Sequence, residues 1–377
     1  MVRRMKRCAL AGFLVFLGLL AGCRQDFVPA FPVELQLFYQ TVQRDAQRFP
    51  QHDGEWEQHY GDAPFYATAF YVRAGQSQQR ADFGALAAAS KRHSLAVLRQ
   101  ARKDRTFLLS NLEEVMMAGL GLIEYAAQTG ERDTLADLDE LIEVLNAVTI
   151  GLGRYIDFDA GQFAIRTYGP TAITAAVALL NLQYAQLLHT ELTADRLEMA
   201  RSLVATIDKK ARDGQRYRVR PGDDLLELYP NTMMMLVLTR LYAVTGERSY
   251  LQTAEGIFEA IQPLRNQQRG GYNSPYSAQA MGAKTDDYST LSSQNYLSLA
   301  LLTMYEQTQN PRYFEEAVFV LQFVRQRLYD PAQGRLLHHF IDGRMALPSD
   351  PEYFCTGCNL QFLYVMWYGL HQALGTP

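Results

Sequence analysis

The chain has 377 residues, with 36 Lys and Arg against 40 Asp and Glu, a formal net charge of −4 and 48% hydrophobic residues. That balance is globular: no basic runs invite nucleic acid, and the apolar content excludes a disordered chain. The length suffices to bury a large core as one domain or two.

The N-terminus carries Arg3, Arg4, Lys6 and Arg7, then an apolar run from Cys8 to Leu20, then Leu20-Ala21-Gly22-Cys23. A basic start, an apolar stretch and small residues before a cysteine are the parts of an export signal, and the run is shorter than the roughly 20 residues of a membrane span. The ending resembles the lipobox of bacterial lipoproteins. The resemblance implies cleavage before Cys23, lipid on its thiol and a membrane attachment, with Arg24 in the next position implying the periplasmic face of the outer membrane. Cleavage removes the four charges of Arg3, Arg4, Lys6 and Arg7 and moves the net charge from −4 to −8. The expected boundaries are a signal peptide over 1–22, a lipidated linker over 23–32 and one domain over 33–377.

Past a linker rich in Pro and aromatics (Phe27 to Pro32), apolar residues recur at helical spacing and predict twelve helices. Six, starting near Asp62, Ser110, Gly169, Tyr229, Asp287 and Cys355, are apolar almost all round, as in Met233 to Val244, and such helices are buried on every side. The other six, over residues 33–49, 82–102, 132–152, 193–211, 247–264 and 310–328, keep one charged face and should meet solvent.

The joints repeat too. Expected inner helices end in Thr129-Gly130-Glu131, Thr245-Gly246-Glu247 or Thr308-Gln309-Asn310-Pro311, which read as tight turns. Expected outer helices end in longer stretches such as Asp159-Ala160-Gly161-Gln162-Phe163, Asp213-Gly214-Gln215-Arg216-Tyr217 and Asp330-Pro331-Ala332-Gln333-Gly334-Arg335-Leu336. Alternating buried and amphipathic helices with all long joints at one end describe a closed ring of six hairpins, an all-α fold with short β-hairpin-like loops at one end. An open solenoid of the tetratricopeptide kind is the alternative, and the irregular spacing argues against its fixed period of about 34.

This pattern resembles the (α/α)6 toroid of the six-hairpin glycosidase superfamily. The stretch Asp286-Asp287-Tyr288 through Leu297-Ser298-Leu299-Ala300-Leu301-Leu302, then Tyr305-Glu306 and Pro311-Arg312-Tyr313-Phe314-Glu315-Glu316-Ala317, looks like hairpins of α-1,6-mannanases, unsaturated glucuronyl hydrolases and N-acylglucosamine epimerases. The resemblance implies a polysaccharide or oligosaccharide as partner. Glycoside hydrolysis is the leading expectation, with a lyase or epimerase acting on a uronate-containing glycan, or a non-catalytic glycan-binding lipoprotein, as the alternatives.

In such a ring the N-terminal ends of the inner helices and the long loops surround one mouth. Carboxylates there suit proton transfer, aromatic faces suit pyranose rings and amides suit hydroxyls. Asp287 with Asp286 leads, because adjacent aspartates also stand at the catalytic position of the mannanases it resembles, although either also suits a helix cap. Glu227 is the best partner carboxylate. Ser110-Asn111-Leu112-Glu113 fits a capping box and leaves Glu114 the freer acid. Tyr168, Tyr229, Asn231, Tyr288, Gln294 and Asn295 are expected to shape sugar subsites, and Arg166 and Arg218 to meet an anionic group or only solvent.

Cys355-Thr356-Gly357-Cys358 opens the last inner helix and leaves three readings: a redox pair, a local disulfide in an oxidising compartment, or a zinc site completed by His338 or Glu227. The zinc reading is similar to the cysteine-rich site of toroidal β-L-arabinofuranosidases, from which this chain departs by lacking a further cysteine. No other cofactor is expected.

Overall fold

A computed structural model of the chain describes residues 29–45, 63–78, 81–150, 169–188, 192–220, 222, 224–275, 287–349 and 354–374. In chain order its helices are α1 (Val33–Asp45), α2 (Ala63–Gln78), α3 (Ala81–Lys103), α4 (Arg105–Ser110), α5 (Leu112–Thr129), α6 (Leu135–Ile150), α7 (Gly169–Leu188), α8 (Leu192–Ala211), α9 (Leu228–Thr245), α10 (Arg248–Ala260), α11 (Leu291–Thr308), α12 (Pro311–Phe323) and α13 (Thr356–Tyr368). Helices α2, α5, α7, α9, α11 and α13 pack side by side in that order, and α13 returns against α2. The ring is closed, which makes the fold an (α/α)6 toroid.

Burial divides the helices as their sequences require. Helix α11 buries every residue from Leu291 to Tyr305, whereas its outer partner α12 buries Tyr313, Phe314, Ala317, Val320, Leu321 and Phe323, the single stripe of a 3.6-residue period. Each fully buried Leu, Val or Phe contributes about 1.5–3 kcal/mol. Polar side chains stitch the seam between last and first inner helices: Gln361 Nε2 donates to Tyr66 Oη at 3.0 Å, and the Trp367 indole N–H donates to Ser77 Oγ at 3.3 Å. Among the described residues no helix is long and apolar enough to cross a membrane.

The short turns are one device used three times. Gly130, Gly246 and Gln309 take the left-handed conformation that ends α5, α9 and α11, with φ of 75°, 72° and 55°. The threonine before each donates its hydroxyl to the carbonyl four residues back (Tyr125, Leu241, Met304) and accepts the N–H two residues on (Glu131, Glu247, Asn310). The recurring Thr-Gly-Glu motif is therefore a helix stop.

Long loops at the other end fold into short hairpins. Strands β1 (Arg212–Asp213) and β2 (Arg216–Tyr217) pair, and β3 (Tyr288–Thr290), β6 (His339–Ile341) and β7 (Arg344–Met345) form a sheet in the order β3-β6-β7. Between them in the chain, β4 (Tyr329–Asp330) pairs with β5 (Arg335–Leu336).

Two expectations about helix starts are corrected. The helix expected from Asp287 begins at Leu291, because Tyr288–Thr290 pair with β6, and Thr290 caps it by accepting the Ser293 N–H at 3.1 Å. The helix expected from Ser110 starts later: Ser110 ends α4, and Asn111 is the N-cap of α5 without a side-chain cap bond.

Candidate functional site at the long-loop mouth

Glu227 is the N-cap residue of α9, in extended backbone, and its side chain makes no cap bond. It is 1% exposed, so a carboxylate is held away from water at the N-terminal end of the inner ring. Two residues on, the Tyr229 ring packs edge-on against Tyr296 of α11, centroids 4.9 Å apart, and Tyr296 packs edge-on against Tyr66 of α2 at 6.0 Å. Tyr66, Tyr296 and Tyr364 line a small cavity of about 20 Å³ between the inner helices. An aromatic collar therefore lies beneath the mouth.

Beside the collar, Asn295 is fully buried and its Nδ2 donates to the Cys358 carbonyl at 2.9 Å and to Gln361 Oε1 at 3.3 Å. Its Oδ1 has no hydrogen-bond partner among the described residues. A buried acceptor left in that state is costly unless something else satisfies it. Asn295 Oδ1 is therefore the one end of this amide that the protein leaves without a partner among the described residues.

Asn231 and Gln294, expected to shape sugar subsites, instead hold the loops. Asn231 Oδ1 accepts the Tyr217 N–H at 2.7 Å, while Nδ2 donates to the Tyr217 carbonyl at 2.9 Å. Gln294 does the same for Tyr272, at 2.9 and 2.8 Å, and Asn359 for Leu336, at 2.9 and 2.8 Å. Both ends of each amide are spent on backbone.

The carboxylates divide. Asp287 lies at the same end of the ring as Glu227, in an ion pair with Arg269, whose guanidinium also donates to Ser289 Oγ at 2.8 Å and lies over the Phe323 and Phe340 rings. Phe323 belongs to outer helix α12, so this anchor ties Asp287 to the rim of the mouth. Glu114 points to outer helix α3, with Oε1 3.7 Å from His93 Nε2, and does not join Glu227. Arg218 is shared between Asp213 at 3.4 Å and Asp224 at 3.6 Å. Hydrogen bonds from Arg216, then the charge of Arg218, hold the Asp213 carboxyl below the usual carboxylate range. Asp286, Arg166, Tyr168 and Cys23 lie outside the described residues.

Tyr288 is buried and stacks on His339, with centroids 5.4 Å apart and planes at 27°. His338 and His339 face each other through Nδ1 atoms 3.3 Å apart, and burial pushes His338 down to about 4. Cys355 and Cys358 are both buried and form no disulfide; Cys355 Sγ accepts the Cys358 N–H at 3.1 Å as an N-cap. Among the described residues no three His, Cys, Asp or Glu side chains converge as a metal site, so Cys355, Cys358 and His338 do not assemble one.

At the opposite, short-loop end the sequence reading missed a cluster. Arg73 of α2 pairs with Glu124 of α5, donates to Gln372 Oε1 at 3.3 Å and lies over the Trp367 ring. Arg240 of α9 donates to Tyr368 Oη at 3.0 Å and stands 3.8 Å from Glu306 of α11. These residues border a cavity of about 360 Å³. Single charged residues within otherwise apolar helices, Arg73 and Arg240 above all, were the available signal.

No protein-family model and no curated protein matches the chain by sequence. Solved structures do match in fold. A D-mannose isomerase superposes with a TM-score of 0.65 at 14% identity, over 93% of this chain and 100% of that one. An unsaturated glucuronyl hydrolase specific for heparin gives 0.59 at 15%, over 89% and 96%. A GH76 alpha-mannanase of Bacteroides thetaiotaomicron gives 0.56 at 11%, over 84% and 88%. These are six-hairpin toroids, and the likeness fixes the fold of this chain as the same.

Proposed function

We propose that the chain acts on a glycan at the long-loop mouth and cleaves a glycosidic bond there. The observation that carries this reading is Glu227: a carboxylate withdrawn from water at the N-terminus of an inner helix, two residues from a tyrosine in the aromatic collar. Tyr229 and Tyr296 offer ring faces and edges to a sugar, and Asn295 Oδ1 accepts from a hydroxyl. Glu227 exchanges a proton with the glycosidic oxygen, and Asp287 on its Arg269 anchor is the second carboxylate, activating water or forming a glycosyl intermediate according to their separation. The names of the fold's neighbours, an isomerase, a hydrolase and a mannanase of sugars, support a carbohydrate ligand.

A second reading, a lyase or epimerase that moves a proton on the sugar itself, is favoured by His338. Its imidazole, pushed down to about 4 by burial, is neutral near pH 7 and adjoins His339 and Tyr288. Cys23 is proposed to carry lipid at the periplasmic face of the outer membrane, on the strength of Leu20-Ala21-Gly22-Cys23.

Incubation with a panel of neutral and uronate-containing oligosaccharides separates these chemistries by product. New reducing ends of saturated sugars support hydrolysis, the ultraviolet absorbance of an unsaturated uronate marks a lyase, and an isomer of unchanged mass marks an epimerase. Binding without any product leaves a glycan-binding protein. Metabolic labelling with palmitate, lost in Cys23→Ser, tests the anchor.

A further inference from the structure

The short-loop end of the ring holds a second cavity, across the collar from the mouth, with a volume of about 360 Å³. Ligand pockets begin near 300 Å³, so the space suits one or two sugar-sized units. Its walls come from the last turns of inner helices that are elsewhere apolar. Charged side chains placed there cost desolvation that a merely packed barrel would avoid.

Three side chains on this wall are not used up by the protein. Gln183 Oε1 is buried without a hydrogen-bond partner among the described residues, a state costly enough to call for a donor from elsewhere. Arg240 is ion-paired with Glu306 at 3.8 Å and lies over the Tyr368 ring, but of the five donors a guanidinium carries it spends only one in a hydrogen bond, to Tyr368 Oη. Arg132, exposed on the rim, makes no ion pair among the described residues. Arg73, by contrast, is closed by Glu124, Gln372 and Trp367. What remains on the wall is the unpaired charge of Arg132, the spare donors of Arg240, one unsatisfied acceptor and the Tyr364 ring.

We propose that this cavity is a binding site for a sugar acid, distinct from the mouth. The carboxylate meets Arg240, with Arg132 drawing it in from the rim, a hydroxyl donates to Gln183 Oε1, and an apolar sugar face rests on Tyr364. Uronate released from a glycan, or uronate at the end of one, has this chemistry. The proposal does not depend on cleavage at the mouth.

Calorimetric titration of the purified domain with D-glucuronate tests it, with D-glucose as the neutral control. Saturable binding of glucuronate is expected, with glucose at least about tenfold weaker. Gln183→Leu should weaken glucuronate about tenfold and Arg132→Ala a few fold, each with an unchanged melting temperature, while Glu227→Gln at the mouth leaves the affinity as it was. Absence of binding, equal affinity for glucose, or wild-type affinity in folded Gln183→Leu would overturn the proposal. Loss of binding in Glu227→Gln would do so as well, by locating the ligand at the mouth.

Discussion

The side chain of Asn231 and the backbone of Tyr217 form a closed pair: the Asn231 amide accepts the Tyr217 N–H and donates to the Tyr217 carbonyl, with a further bond to the Glu227 carbonyl at 2.7 Å. Asn231, Gln294 and Asn359 are each the fourth residue of an inner helix, and each grips the strand-like residue of the long loop before it. A β-hairpin that would otherwise leave its outer backbone groups bare is thereby pinned over the helix N-terminus. Glu227, between Tyr217 and Asn231 in the chain, inherits its position from that grip.

Asn231→Ala should therefore cost about 3 kcal/mol, because two buried backbone groups of Tyr217 lose their partner. Urea unfolding measures the loss. Any glycan-cleaving activity should fall beyond the loss of folded protein, since Glu227 is displaced; an activity that tracks the folded fraction alone would separate the clamp from the site.

The Arg73–Glu124 pair lies in the barrel wall with side-chain exposures of 17% and 10%. Removing one partner strands the other charge, so Glu124→Ala should destabilise by about 3 kcal/mol. The double variant Arg73→Met/Glu124→Leu should recover most of that loss, and thermal unfolding of the four proteins in a mutant cycle reads the coupling.

His338 gives a pH signature whose sign is fixed by burial. Its folded value near 4 lies below the ordinary 6.5, so the unfolded chain takes up a proton that the folded chain refuses. Stability is unaffected above about 6.5 and declines as pH falls toward 4, by as much as about 3 kcal/mol. His338→Phe should flatten that stretch of the stability curve, measured by denaturant midpoints across the range.

Cys355 and Cys358 are 1% and 2% exposed and form no disulfide. In the domain from Phe31 onward, a thiol reagent should find neither in the folded protein and both after denaturation without reductant. Unreactive denatured protein would instead reveal a disulfide.

Much of the fold was legible because it rests on local signals. An all-round apolar helix such as Leu291–Thr308 can only be an inner one, and Thr129-Gly130-Glu131 carries its own stop through a hydroxyl and a left-handed glycine. The site was less legible because its roles depend on partners far away in sequence. Gln294 looks like a free amide until Tyr272 is folded against it, and Asp287 looks like a helix cap until β3 finds β6 and Arg269 arrives 18 residues from upstream. Arg73 and Arg240 were visible as charges inside apolar helices, but their meeting with Glu124, Tyr368 and Gln372 needed the closed ring.

The central claim is that the ring places Glu227 at a glycan-cleaving mouth, and the most direct measurement is the turnover of a cleaved oligosaccharide by wild type and by Glu227→Gln, with affinity for the same glycan measured in parallel. In Glu227→Gln, kcat should fall about a thousandfold with affinity retained, the scale of a lost proton-transfer group. Turnover in the variant equal to wild type would contradict the claim.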